Sequence, residues 1–147
     1  MKNLIFILLV IFLANCTTYS DQEINSFDRI IQKHIAKNKL ELTRTDSGLY
    51  FNTTKQGTGR NIRYQDSVSI SYTGKLLNGK LVDLQTTPVT FAVKDLIMGW
   101  KEALIMSKDG CEITLITPPN LAYGNHELEQ IPQNSILCFN LKVLALK

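Results

Sequence analysis

Histidine, cysteine and blocks of like charge are scarce in this chain, and each scarcity closes a class of function. Its two histidines, His34 and His126, stand at no zinc-like spacing from Cys16, Cys111 or Cys138, so no metal is implied. The net charge is only +3, with basic and acidic residues interleaved, which leaves no electrostatic footprint for nucleic acid. Gly57-Thr58-Gly59 lacks the Lys-Ser or Lys-Thr and the helix start of a phosphate loop, and no cofactor is called for. No apolar run reaches the roughly 20 residues that span a bilayer. The unbroken stretch Leu4 to Ala14, behind Lys2, is shorter and reads as a secretory signal. At 147 residues and 44% hydrophobic content, the rest has room for one core and a short appendage.

Hydrophobic spacing organises that remainder. Ile24, Phe27, Ile30, Ile31 and Ile35 form a helical stripe, with Asp21 or Ser26 available as cap and Asn38 available as terminator. This predicts an amphipathic helix that packs on the main domain, spaces it from a membrane, or dimerises. Beyond it come strand signals: Leu49 to Thr54, then Asp66 to Tyr72, where Val68, Ile70 and Tyr72 alternate with three serines. Asn78-Gly79 predicts a hairpin with positive φ at both positions, leading into Lys80 to Asp83 and, after Pro88, Val89 to Val93. Asp95 can cap a short helix that turns Leu96, Ile97, Trp100 and Leu104 inward. Ile113 and Leu115 mark the next strand, and Leu137, Phe139, Leu141, Val143 and Ala145 one face of the last. If these two strands are antiparallel neighbours, Cys111 falls opposite about position 141 and Cys138 opposite about position 114, too far apart to bridge. Both are expected to be buried small apolar side chains.

Tyr72-Thr73-Gly74, Asn78-Gly79, Gly99-Trp100, Leu121-Ala122-Tyr123-Gly124, Ile131-Pro132 and Phe139 follow one another in an order that resembles the FKBP-type peptidyl-prolyl isomerases. The resemblance runs from about Ser47 to Leu146 and is specific only as a set. It implies an α+β domain, a five-stranded antiparallel sheet wrapped around a short helix; periodicity supports the strands, whereas their order and wrapping come from the resemblance alone. It also implies an apolar hollow that takes proline-containing polypeptide segments. Trp100 would be its floor; Tyr72, Leu96, Ile97, Ile131 and Phe139 would be walls; Tyr123 would donate a hydrogen bond to the ligand carbonyl; Asp83 would be the pocket aspartate. Val82 and Val89 stand where the family usually has phenylalanine, and Gln130 replaces an apolar residue. Taken singly, Trp100, Tyr72 and Phe139 would be core residues and Asp83 a solvated strand-end carboxylate. His126 receives no role.

Leu13-Ala14-Asn15-Cys16 resembles the bacterial lipobox, with Asn15 where a smaller residue is usual. The implied organisation is a signal peptide over 1–15, a tether and amphipathic helix over 16–46, and an isomerase domain over 47–147. Acylation of Cys16 would hold the protein at a membrane, facing the periplasm or the cell surface, as a monomer or weak dimer. Two functions compete. One is prolyl isomerisation that assists folding of exported proteins. The other is a peptide-binding or chaperone module on the same hollow with little catalysis, favoured by Val82, Val89 and Gln130.

Overall fold

The computed structural model describes residues 19–147. The expected signal peptide and Cys16 therefore lie outside the described residues. Ser20 opens helix α1 (Asp21–Asn38) through a capping box: its hydroxyl accepts from the Glu23 N–H, and the Glu23 carboxylate accepts from the Ser20 N–H. Neither expected cap, Asp21 nor Ser26, is used, because the reciprocal pair satisfies two free donors at once. The helix stops at Asn38, where Lys39 turns left-handed at φ 53°.

Among the described residues, six antiparallel strands form one sheet, in the order β1-β2-β5-β6-β3-β4. They are β1 (Thr43–Arg44), β2 (Tyr50–Lys55), β3 (Ser67–Leu76), β4 (Leu81–Ala92), β5 (Glu112–Thr117) and β6 (Leu137–Leu146). The strand beyond the expected five is β1. Its two residues pair with Tyr50 and Phe51 at the sheet edge and are too few to show any alternation. Helix α2 (Met98–Ile105) lies on the inner face, where Trp100, Ala103 and Leu104 pack with Val68, Ile70, Ile113, Leu115, Phe139 and Leu141. Asp95 does not cap it; Asp95 ends a short 3-10 turn, and Ile97 occupies the N-cap without a side-chain bond. Leu96 and Ile97 thus precede α2 and pack inward from an extended segment.

The hairpin is real but of another type. Gly79 has φ 91° while Asn78 does not have positive φ. The Gly79 N–H donates to the Leu76 carbonyl and the Leu76 N–H to that of Lys80, the pattern of a type I turn followed by a left-handed glycine. Strand β4 then runs unbroken through Pro88, where two separate segments were expected. It is the sheet's outermost strand on that side, so a missing N–H costs no ladder bond.

Helix α1 packs on the outer face of the sheet. Ile31 is fully buried against Tyr50, Ile116 and Ile136, flanked by Phe27 and Ile35. Ile30, expected in the same stripe, is 46% exposed. A polar latch closes the contact: Asp28 accepts from the Arg44 guanidinium at 2.7 Å and from the Tyr50 hydroxyl at 2.8 Å. Burial would raise the Asp28 pKa, but these two hydrogen bonds outweigh it and hold the carboxyl low. No helix among the described residues is long and apolar enough to cross a membrane.

Cys111 and Cys138 are free thiols. Their register differs from expectation by one pleat repeat: Cys138 faces Ile116, and the Cys111 carbonyl accepts from the Val143 N–H. Cys111 is buried, whereas Cys138 is only half-buried, on the face that α1 covers.

Candidate functional site

An aromatic array sits where α2 meets the inner face. Trp100, 5% exposed, receives Tyr72 edge-on at 4.9 Å between ring centroids and Phe139 edge-on at 5.1 Å. Edge-to-face contacts of this kind add about 0.5–1.5 kcal/mol each beyond area burial, so the three rings brace one another. The helix can bring Trp100 this deep because Gly99 has no side chain: a Cβ there would stand 2.6 Å from the Thr117 methyl. The indole Nε1 is buried without a hydrogen-bond partner among the described residues.

The polar groups enter from β4 and from the loop after β5. The Tyr72 hydroxyl donates to the Asp83 carboxylate at 2.7 Å. Burial first, and then that bond and the Asp83 charge, push the Tyr72 phenol far above its usual range. Tyr123 follows a 3-10 turn (Pro119–Leu121) that begins directly behind Pro118. Its phenol is pushed up to about 12, by burial and then by the Asp83 charge. Both hydroxyls therefore remain donors through neutral pH. Tyr72, Asp83, Trp100, Tyr123 and Phe139 share one neighbourhood, and Ile131, Leu96, Ile97 and Val82 pack around the same cluster.

Two positions depart from the sequence reading. Val89 is 37% exposed, at the rim, paired with Ile70 just before the bulge that separates Ile70 from Tyr72. Phe91, not singled out from the sequence, stands two residues on, with its ring 6.3 Å from that of Tyr72. The signal for it was the alternation Val89, Phe91, Val93 along β4. His126 and Gln130 are exposed. A recess of about 450 Å3 opens on the opposite, wet face among Ser71, Thr73, Thr114, Asn140 and Lys142, away from Trp100.

The sequence pattern described as FKBP-type peptidyl-prolyl cis-trans isomerase matches residues 58–144, which includes this entire array. The chain belongs to the FKBP family. Among curated proteins it is similar to the FKBP-type peptidyl-prolyl cis-trans isomerase FkpA of Buchnera aphidicola from Schizaphis graminum, 39% identical over 72% of this chain and 44% of the relative. It is also similar to FkpA of Escherichia coli, 36% identical over 70% of this chain and 39% of the relative. The chain thus spans less than half the length of these relatives. The crystal structure of Escherichia coli FkpA superposes with a TM-score of 0.75 at 30% identity, covering 86% of this chain and 62% of that one. A peptidyl-prolyl cis-trans isomerase from Pseudomonas syringae, at 24% identity and TM-score 0.72, covers 88% of this chain and 98% of that one and bears on the fold. The FKBP match accordingly covers residues 58–144, and α1 is laid on the outer face of the sheet.

Proposed function

We propose that this FKBP domain isomerises prolyl peptide bonds in exported polypeptides, held at a membrane of the bacterial cell envelope by acylated Cys16. The observation that carries the reading is the braced array of Tyr72, Trp100 and Phe139 with the Asp83 and Tyr123 polar groups at its edge. A prolyl amide resists rotation by ~18–20 kcal/mol because twisting abolishes C–N resonance. The twisted amide is less polarised along C–N, so an apolar, water-poor surface favours it over the planar ground state. Trp100 takes the face of the proline ring, Phe139 and Phe91 its flanks, and the Tyr123 hydroxyl a carbonyl of the segment. Asp83 fixes the Tyr72 hydroxyl by accepting its hydrogen bond. The reaction requires no nucleophile and no electron transfer.

The half-buried Val82 and the rim position of Val89 favour a second reading, a module that grips proline-containing segments with little turnover. Exchange NMR on a proline tetrapeptide series with residues 17–147 separates the two. Accelerated cis-trans exchange supports the isomerase; binding with unchanged exchange supports the module. Absence of both would remove the hollow from consideration.

A further inference from the structure

Gly74 occupies the middle of one rung of the sheet, with Asp83 opposite it on β4 and Phe139 opposite it on β6. Glycine inside a strand weakens the strand, so its presence needs a reason. The backbone does not supply one, since Gly74 has no positive φ. Packing does. A Cβ at Gly74 would stand 2.8 Å from Phe139 Cε1, closer than real contacts allow, and a tight 3.1 Å from Cδ1, with the Asp83 Cβ at an ordinary 3.5 Å. Phe139 is only 4% exposed, and Trp100 stands 5.1 Å away between ring centroids, so the ring has no free space to retreat into.

We infer that Gly74 is a positioning residue for the aromatic wall: its bare backbone lets Phe139 tip across β3 and meet Trp100 edge-on. Any side chain at 74 would drive the Phe139 ring toward the indole, while its Cβ would meet the Asp83 Cβ at ordinary contact distance. The inference rests on the isomerase reading for its consequence in turnover, but its geometry can be read without turnover.

Trp100 is the single tryptophan, so its indole N–H gives one unambiguous NMR resonance that reports the Phe139 ring current. Gly74→Ala should displace that resonance and lower kcat/KM by about tenfold, the scale of a modest overpacking penalty. In a Phe139→Leu background the new methyl has room, and adding Gly74→Ala should change either readout by less than about twofold. An unmoved indole resonance in Gly74→Ala, or an equal loss in the Phe139→Leu background, overturns the inference. Should Gly74→Ala fail to fold, the double variant decides: folding like Phe139→Leu supports the inference, and unfolding where Phe139→Leu folds overturns it. Should the wild type prove inactive, the isomerase reading fails, while the indole shift and its suppression by Phe139→Leu still test the positioning role.

Discussion

Tyr123 combines a buried ring with a hydroxyl that stays protonated, since burial and the nearby Asp83 charge push its pKa up to about 12. A raised folded-state pKa keeps the proton in place below the ordinary value of 10, so ionisation of this group removes no activity between pH 6 and about 9. Tyr123→Phe keeps the ring and deletes the donor. It should leave the melting temperature unchanged and weaken proline-peptide binding by about 0.5–1.5 kcal/mol in a titration, the usual net worth of one hydrogen bond. Val82 and Val89, equivalent by sequence, differ in place: Val82 packs on the aromatic cluster, whereas Val89 lies at the rim and Phe91 supplies the ring on that strand. Val82→Phe should therefore raise kcat/KM severalfold by adding a wall that excludes water, and Val89→Phe should do little. Equal effects of the two in exchange NMR would mean that the rim, not the cluster, limits the site.

Helix α1 contributes a second core on the outer face, separate from the site. Ile31 is fully buried there, so Ile31→Ala should cost about 2–5 kcal/mol in urea unfolding, through lost burial and a cavity. Because the contact lies across the sheet from Trp100, prolyl exchange per folded molecule should be unchanged. The segment leading into β3 is tied by Asp66, which accepts two bonds from the Arg60 guanidinium, at 2.6 and 2.8 Å, and one from the Arg63 N–H. The Arg60 bonds first, and the backbone bond second, hold its carboxyl down to about 2. A depressed folded pKa gives stability that is present above the ordinary 3.8 and is lost as pH falls toward about 2. Melting temperature should drop over that window, and Asp66→Asn should flatten the drop while lowering the plateau at neutral pH. An identical acid limb in the variant would assign the window to other carboxylates.

Across the whole molecule, the proposed anchor joins the chain ahead of α1, while the candidate hollow lies on the sheet face that α1 does not cover. Acylated Cys16 would precede α1 by only a few residues, and α1 is latched to the domain through Asp28, Arg44 and Tyr50. The domain would then ride close to the bilayer surface rather than on a free helical stalk. Cys16→Ala should release the protein from the membrane fraction, and labelled fatty acid should enter the parent but not the variant. A variant as membrane-bound as an unlabelled parent would exclude the lipid anchor.

The amphipathic helix and five of the six strands were legible in hydrophobic periodicity, a local property, whereas Tyr72, Asp83, Trp100, Tyr123 and Phe139 were picked out as a set only by the family resemblance. The Ser20 cap, a local Ser-x-x-Glu pattern, was open to reading as well. The turn type at Gly79 and the ring of Phe91 beside Tyr72 were not, since both depend on who stands opposite whom. Register shifts between Ser69 and Ile70, Ile70 and Tyr72, and Gly74 and Lys75 set those partners, and a bulge of one residue reassigns every side chain beyond it. The packing role of Gly74 was hidden likewise, because only its pairing with Phe139 on β6 reveals what a Cβ there would meet. Sequence specified which residues are apolar and at what period; only the folded sheet decided which faces they share, because pairing is a long-range choice made by packing and not by the chain's local preferences.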